Sequence, residues 1–356
     1  MEFGIALATD ATAWKTVARA EELGFTSAWF YDTQMLSADC FVAMGAAAVK
    51  TSRIRLGTGV LIPSNRIAAV AANAFASLNK LAPGRIDFGV GTGFTGRRAM
   101  GLGAIKLAEM DEYIRVVTAL MRDETVETAI EAQRRKIRFL NADLGLINTT
   151  DPVGLHVSAY GPKAMALTAR WGAGWLNFVG DETTGNQALA AMHAAWQKSD
   201  RDAKSMTAVA FALGCVLADG EAIDSPRAIA QSGPRAAVLL HRAADEALSG
   251  LPNSSPIPPE VANEVAGYVE LARTFEPKDA PWLQNHRGHL MFVKPEERPF
   301  ITPELIRRTT FTGTQTNLIN RITQLKNAGY TQFTIQLTPG QESALEDWTP
   351  IMRAFH

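Results

Sequence analysis

Short apolar runs alternate along the chain with longer segments in which apolar residues recur at helical spacing. The runs predict eight strands, at residues 3–7, 27–31, 54–60, 86–91, 154–159, 175–178, 208–217 and 332–337. The amphipathic segments predict eight helices, at residues 13–23, 40–49, 68–81, 106–122, 162–171, 184–198, 316–328 and 342–355. Gly24 and Gly329 stand where a left-handed helix cap is needed. Eight strand and helix pairs predict an α/β protein, a (β/α)8 TIM barrel.

The length of 356 residues allows one large barrel or two smaller domains. A barrel of this kind typically needs ~250 residues, and insertions account for the rest. We place the insertions at about 124–151, after the fourth strand, and at about 219–310, after the seventh. The expectation is therefore a single barrel domain over residues 1–356, with both insertions on the loop side that surrounds a site.

The charge balance narrows the class of partner. The 35 basic and 36 acidic side chains give a net charge of −1, so no broad basic field is available for nucleic acid or an anionic membrane. No uninterrupted apolar run approaches the ~20 residues of a bilayer span. The two cysteines form no disulfide framework and the chain opens on a strand, which predicts a cytoplasmic protein that acts on a small molecule.

Glycines follow two neighbouring strands in the same tripeptide, Gly57-Thr58-Gly59 and Gly91-Thr92-Gly93. Glycine at the carboxyl end of a parallel strand lets the backbone come close to a ligand. The segment 91–96 also fits a dinucleotide fingerprint, although it lies in the fourth unit and its following glycines delay the next helix to about residue 106. Three interpretations stay open: a Rossmann NAD site, an anion-binding loop served by Arg97 or Arg98, and a plain tight turn.

A second candidate anion site lies at residues 158–164, where a strand passes through Ala159, Tyr160 and Gly161 into a helix. Pro162 suits the first helical turn, and the free N–H groups of that turn favour a phosphate beside Lys163. Together with the glycine-rich loop, this turn predicts one phosphorylated cofactor lying across the barrel mouth.

Two ionisable residues are candidates for catalysis. Asp32 ends the second strand, where a carboxylate could bind or protonate a ligand or could cap a turn. His156 alternates with apolar neighbours in the fifth strand, so it could point into the barrel as a catalytic or as a structural histidine. His286 and His289 are three residues apart, but Gly288 interrupts a helix there and we expect no third ligand nearby, and hence no metal.

The chain resembles the luciferase-like family of flavin- and deazaflavin-dependent oxidoreductases. The similarity is carried by residues 20–32, 53–66, 81–93 and 160–175 in that order, with a further match at 311–330. The resemblance implies a (β/α)8 barrel with a non-proline cis peptide at Gly59-Val60 behind the cofactor ring. It also implies a place for Asp32 near the reactive ring atoms, a phosphate-binding turn at 161–163 and a cofactor tail near 91–93.

The resemblance leaves the cofactor open between FMN and F420. Where one reductase branch of the family carries polar residues and a histidine, this chain has Leu61, Ile62 and Ile67. These apolar residues favour a monooxygenase that uses reduced FMN on a small apolar substrate, with a separate flavin reductase as a partner. The alternatives are an F420-dependent hydride-transfer reductase or dehydrogenase and a non-catalytic flavin-binding protein. The family also implies a homodimer or homotetramer.

Overall fold

The computed structural model describes residues 1–253 and 256–356. Within those ranges the strands are β1 (Glu2–Leu7), β2 (Ser27–Phe30), β3 (Arg55–Thr58), β4 (Ile86–Val90), β5 (Val126–Ile130), β6 (Gln133–Ile137), β7 (Gly154–Ser158), β8 (Gly174–Phe178), β9 (Ala208–Ala212), β10 (Val216–Leu217), β11 (Gly313–Thr314) and β12 (Gln332–Leu337). The helices are α1 (Trp14–Leu23), α2 (Cys40–Lys50), α3 (Ala68–Leu81), α4 (Phe94–Arg98), α5 (Leu107–Met121), α6 (Pro162–Trp171), α7 (Glu182–Gln197), α8 (Pro226–Ser249), α9 (Ala262–Ala272), α10 (Trp282–Asn285), α11 (Pro303–Thr309), α12 (Gln315–Ala328) and α13 (Ala344–Arg353).

Eight of these strands form a closed parallel barrel in the order β1-β12-β9-β8-β7-β4-β3-β2. The predicted TIM barrel is confirmed, because each barrel strand pairs in parallel with its neighbours and β1 closes against β12 over its full length. Side chains alternate between two environments. Phe3 and Ile5 of β1 pack outward beneath the helices, whereas Trp29, Leu176 and Phe211 fill the barrel interior.

The glycine caps form as the pattern predicts. Gly24 and Gly329 follow α1 and α12 with φ of 105° and 120°, and their N–H groups donate to carbonyls of the last helical turn. Side chains with a Cβ rarely adopt this backbone conformation.

The seventh barrel strand is shorter than predicted. It ends at Ala212 because the chain then passes against residue 311: a Cβ on Gly214 would lie 1.8 Å from the Phe311 carbonyl oxygen. Residues beyond that point form β10, which pairs in parallel with β11 and not with the barrel.

Both segments that the sequence predicts as insertions lie outside the barrel sheet. The first holds the antiparallel hairpin β5–β6. The second contains α8 to α11 and has an apolar core of its own, built around residues such as Leu240, Tyr268 and Leu305.

The expectation of a helix-free gap up to residue 106 is wrong, because α4 starts directly after Gly93.

Two further predictions from the sequence concern the cysteines and the absence of a membrane span. Cys40 and Cys215 are free, buried thiols, and burial raises the pKa of each. Among the described residues, no helix has both the length and the apolar character that crossing a membrane requires. The cytoplasmic location stays a prediction.

Candidate active site

The mouth of the barrel, at the carboxyl ends of the strands, is built around a backbone bulge after β3. The Gly59-Val60 peptide bond is cis, as the family resemblance implies. Below it, the Thr58 hydroxyl donates to the Gly89 carbonyl at 2.7 Å and so ties β3 to β4. A Cβ on Gly91 would lie 2.7 Å from Val60 Cγ2. Glycine is therefore required where β4 passes the bulge.

Leu61 and Ile62 follow the bulge but pack away from the open mouth. Leu61 bridges to Val90 and lies in the outer core under the helices. Ile62 is 3% exposed and fills the space beside Gly93 and Gly96. These two side chains therefore do not line the mouth, and they lend no support to the FMN-dependent monooxygenase that they favoured in the sequence.

Asp32 lies just beyond β2, and its carboxylate is surrounded by donors from the segment after the bulge. It accepts from the Ile62 N–H and the Asn65 amide, each at 3.0 Å, and from Arg66 at 2.7 Å. The residue is 2% exposed. Burial disfavours the charged form of Arg66, but the pairs with Asp32 and Asp39 raise its pKa. Asp32 thus fixes the course of residues 62–66, and its catalytic role stays a prediction.

His156 points into the barrel but lies below the strand ends. Its Nε2 is 3.4 Å from Asp87 Oδ1, near the start of β4, and its ring meets the edge of Trp29 with centroids 5.2 Å apart. Asp87 also pairs with both Nε and a terminal nitrogen of Arg55, at 2.8 and 2.7 Å. Burial would raise the pKa of Asp87, but His156 and Arg55 hold it below its usual value. These are contacts of a structural histidine, and the catalytic role stays a prediction.

The two arginines of the glycine-rich loop are engaged with protein groups. Arg97 donates to the Gly103 carbonyl at 2.6 Å and to the Ser64 hydroxyl at 2.8 Å. Arg98 is buried and pairs with Asp245 of α8 at 2.9 Å. Thr92 accepts through its carbonyl from the Ile105 N–H at 3.0 Å. The loop thus fastens neighbouring segments, and phosphate binding by its arginines stays a prediction.

The second predicted anion turn divides between two surfaces. The Ala159 carbonyl accepts from the Trp175 indole at 2.8 Å, and the Tyr160 hydroxyl accepts from the Phe178 N–H at 3.2 Å. Gly161, Pro162 and Lys163 are exposed at the start of α6. Lys163 lines an outer groove of about 900 Å³ together with residues of α5. The structure therefore brings Tyr160 to the mouth and leaves Lys163 on the helical side.

Helix α8 crosses the mouth and supplies cationic residues that the sequence analysis missed. Its first half is fastened to the end of β12 by the Thr338 hydroxyl, which donates to the Ala230 carbonyl at 3.1 Å. Its second half carries Arg242, whose guanidinium lies 4.4 Å from the centre of the Phe94 ring. Arg235 lies between these two parts of α8 and interacts electrostatically with Tyr31 and Tyr160.

Arg235 is the clearest sign of a ligand at the mouth. Burial lowers its pKa, and no ion pair joins it to a carboxylate anywhere in the described part of the chain. Its Nε has no hydrogen-bond partner, and neither has the buried Oε1 of Gln336. Since buried polar atoms are normally hydrogen-bonded, a polar, anionic ligand fits this space.

The histidines excluded above as a metal pair have a third neighbour in space. His241 of α8 reaches His286 and His289, and one ring nitrogen of each lies within 4.8 Å of the other two. Burial, and the nearby His241 and His286, lower the pKa of His289 well below its usual value. The expectation that no third ligand is near is therefore wrong.

Comparison with known proteins agrees with this architecture. A model of the luciferase-like monooxygenase family matches residues 8–332. An F420-dependent glucose-6-phosphate dehydrogenase of Beutenbergia cavernae is 36% identical over 168 residues, which cover 44% of this chain and 48% of that protein. The chain spans about half the length or less of the first curated relatives it matches.

Two further matches extend over nearly the whole chain. A 5,10-methylenetetrahydromethanopterin reductase of Archaeoglobus fulgidus is 25% identical over 340 residues, with 93% of this chain and 92% of that one covered. The solved coenzyme F420 dependent tetrahydromethanopterin reductase of Methanopyrus kandleri superposes with a TM-score of 0.69 at 17% identity, covering 99% of both chains. With the family model matching most of its length, the chain belongs to the luciferase-like monooxygenase family.

Proposed function

We propose that this protein is an F420-dependent oxidoreductase that moves a hydride between the deazaflavin and a small organic substrate at the barrel mouth. The observation that carries the proposal is the half-buried guanidinium of Arg235 on α8, which no carboxylate neutralises among the described residues and which interacts electrostatically with Tyr31 and Tyr160. The names of the relatives, F420-dependent dehydrogenases and a methylenetetrahydromethanopterin reductase, support the same cofactor class.

The mouth has the features that a planar, phosphate-bearing cofactor needs. Glycine at 59 lets the bulge lie against Trp29 and Phe211, and glycine at 91 lets the end of β4 lie against Val60, so the bulge is held close to the barrel wall. Arg235 and Arg242 supply positive charge for an anionic tail. A bound deazaflavin supplies the hydride chemistry, and the protein supplies position and charge.

Tyr31 is the group we assign to the substrate oxygen. Its hydroxyl accepts from the Gln336 amide at 3.0 Å, so its own proton remains available for donation. Burial raises the pKa of Tyr31 and keeps the phenol protonated. Such a donor can hold an alcohol or carbonyl oxygen while a hydride is transferred at the adjacent carbon.

Asp32 and α8 have supporting roles in this proposal. Asp32 positions residues 62–66 behind the bulge through its three hydrogen bonds. α8 is joined to the end of β12 by the Thr338–Ala230 hydrogen bond, and from there it would shield the reacting groups from water.

This proposal replaces the FMN-dependent monooxygenase as the main hypothesis. The apolar Leu61 and Ile62, which favoured FMN and oxygen, are packing residues. The NAD alternative is wrong in its premise, because Gly91 to Gly96 lie in a closed barrel and not in a Rossmann sheet. The partner reductase and the homo-oligomer stay predictions.

The test is a pair of binding titrations with F420 and FMN, followed by turnover assays with alcohols, aldehydes and sugar phosphates. We expect F420 to bind and Arg235→Gln to weaken it by about 10- to 100-fold, the value of one charge-assisted hydrogen bond. Arg353→Gln, at an exposed position on α13, is the matched control and should change nothing.

The turnover assays separate the alternatives. We expect Tyr31→Phe to lower kcat while F420 affinity stays the same. Binding of FMN without F420, with oxygen consumed by the reduced protein, would support the monooxygenase instead. F420 binding without turnover of any substrate would support the non-catalytic carrier.

A further inference from the structure

Three histidines meet beneath α8, in the second insertion. His241 lies in the middle of α8, and His286 and His289 lie on the turn that follows α10. All three are at most 2% exposed. Nδ1 of His241 and Nδ1 of His289 are 2.8 Å apart, and the ring centres of His286 and His289 are 5.0 Å apart. The three rings therefore form one compact, buried cluster.

The other ring nitrogen of each histidine is turned to an oxygen outside the cluster. Nε2 of His241 lies 2.6 Å from Glu297, and Nε2 of His286 lies 2.9 Å from Asp245. Nε2 of His289 lies 3.4 Å from the Thr95 hydroxyl. A carboxylate behind the remote nitrogen is the arrangement that orients a metal-binding imidazole. The inward atoms are thus the three Nδ1 nitrogens.

His286 shows that hydrogen bonding alone does not satisfy this cluster. His241 and His289 can share a proton across their 2.8 Å contact, as two neutral imidazoles do. Nδ1 of His286 is buried and has no hydrogen-bond partner. A buried nitrogen left in this state is costly, and a cation bound between the rings would remove the cost.

We propose that His241, His286 and His289 bind a divalent transition-metal ion, with Zn²⁺ as the best fit. Three imidazoles are a common donor set for this ion. Zn–N bonds of about 2.0–2.1 Å at tetrahedral angles put the nitrogens roughly 3.3 Å apart. The contact of 2.8 Å and the outer limit of 4.8 Å bracket that spacing, so small side-chain shifts complete the site. The fourth position is left for water.

The carboxylates behind the cluster orient the imidazoles but add no net negative charge, because each is paired with a protein cation. Asp245 and Glu297 bring two carboxylates behind the ligands, and each also pairs with one protein cation, Arg98 at 2.9 Å and Lys294 at 2.9 Å. The carboxylates are thereby held in place whether or not the metal is present.

The metal would fasten α8 to the segment that follows α10. Because the same helix carries Arg235 and Arg242, the site would hold the lid of the mouth in position. The inference rests on the histidine geometry alone and holds whichever cofactor occupies the mouth.

The experiment measures metal content and coordination in the full chain. After incubation with ~0.1 mM ZnSO₄ and dialysis, we expect about one zinc per chain, removable by a chelator with a fall in Tm. Co²⁺ in place of zinc should give the intense visible bands of a tetrahedral site. A folded chain that retains no zinc, or that gives only the weak spectrum of octahedral Co²⁺, would overturn the proposal.

Substitutions locate the metal. His286→Gln and His289→Gln should lose the bound zinc, and Asp245→Asn should weaken binding by about 10- to 100-fold. His193→Gln, on α7 and outside the cluster, is the matched control and should retain it. Undiminished zinc in the His289→Gln variant would place the metal elsewhere and refute the assignment. If a variant does not fold, the Co²⁺ spectrum of the parent chain decides the question. F420 binding is measured separately, so its failure would not bear on this result.

Discussion

Replacing Asp32 by alanine tests whether this residue shapes the mouth or acts in the chemistry. The substitution removes the acceptor of the Ile62 N–H, of the Asn65 amide and of one Arg66 nitrogen. It leaves Arg66, whose side chain is 16% exposed, with Asp39 as its remaining carboxylate partner. The substitution therefore removes one buried charge that holds residues 62–66 in place.

The magnitude follows from these contacts. A buried N–H without a partner costs about 1–3 kcal/mol, and breaking a buried ion pair from one side costs about 3–5 kcal/mol. Asp39 retains part of the charge pairing, so the lower end applies. We expect Asp32→Ala to lower the free energy of unfolding by about 3 kcal/mol.

Two measurements check this expectation. Urea unfolding gives the change in stability, and hydrogen exchange of the peptide that contains Ile62 gives the local effect. The Ile62 amide should lose protection, because its acceptor is the missing carboxylate. Asp32→Asn keeps one acceptor oxygen and should lie between the parent and the alanine variant.

A stable variant would refute this reasoning. If Asp32→Ala unfolds within about 1 kcal/mol of the parent and keeps Ile62 protected, the carboxylate does not hold the loop. A loss of kcat in that stable variant would then restore the catalytic role predicted from the sequence.

The remaining predictions concern the bulge and the start of α8. Gly91→Ala should weaken cofactor binding by more than about 10-fold, because the new Cβ meets Val60 at 2.7 Å. Gly45→Ala, on α2, is the control in the same titration, since its new Cβ has Leu78 as nearest neighbour at 3.9 Å. Glu221→Gln should remove an acid-sensitive part of stability, since the hydrogen bond with Arg227 lowers the pKa of Glu221 to about 2. A carboxylate whose pKa is lowered on folding stabilises the fold at pH values above its usual pKa of 4.5. This stabilisation is lost as the pH falls through about 2. The stability gap between parent and variant in urea should thus be full at neutral pH and vanish near pH 2; a gap that does not change with pH would contradict the assignment.

The barrel could be predicted because its strands and helices differ in hydrophobic period. Caps such as Gly24 and Gly329 directly follow their helices and bond back to the last turn, so local sequence is sufficient to place them. The elements that were missed depend on distant contacts. β9 stops where Gly214 meets Phe311, and α8 continues through Pro234, a residue that normally argues against a helix.

The candidate site also has some residues that the sequence predicts and others that only the fold brings together. The glycines beside the bulge were visible in the sequence, and the cis bond at Gly59-Val60 followed from resemblance alone. Arg235 and Arg242 are seven residues apart, a spacing that could have placed them on one face of a helix once α8 was recognised. His241 is 48 residues from His289, and only the folded chain shows that their rings touch.

The short ladder of β10 and β11 has a consequence for how this protein can change. The chain departs for its second insertion at Val216–Leu217 and returns at Gly313–Thr314, and these two points lie side by side. The neighbouring barrel strands, β9 and β12, pair directly in parallel, from Gln332↔Val209 to Ile335↔Ala212. Residues 218–312 are thus an insertion whose two ends leave the barrel at adjacent points. Exchanging this insertion between relatives would replace α8 and the rest of the cover over the mouth, while the barrel strands keep their register.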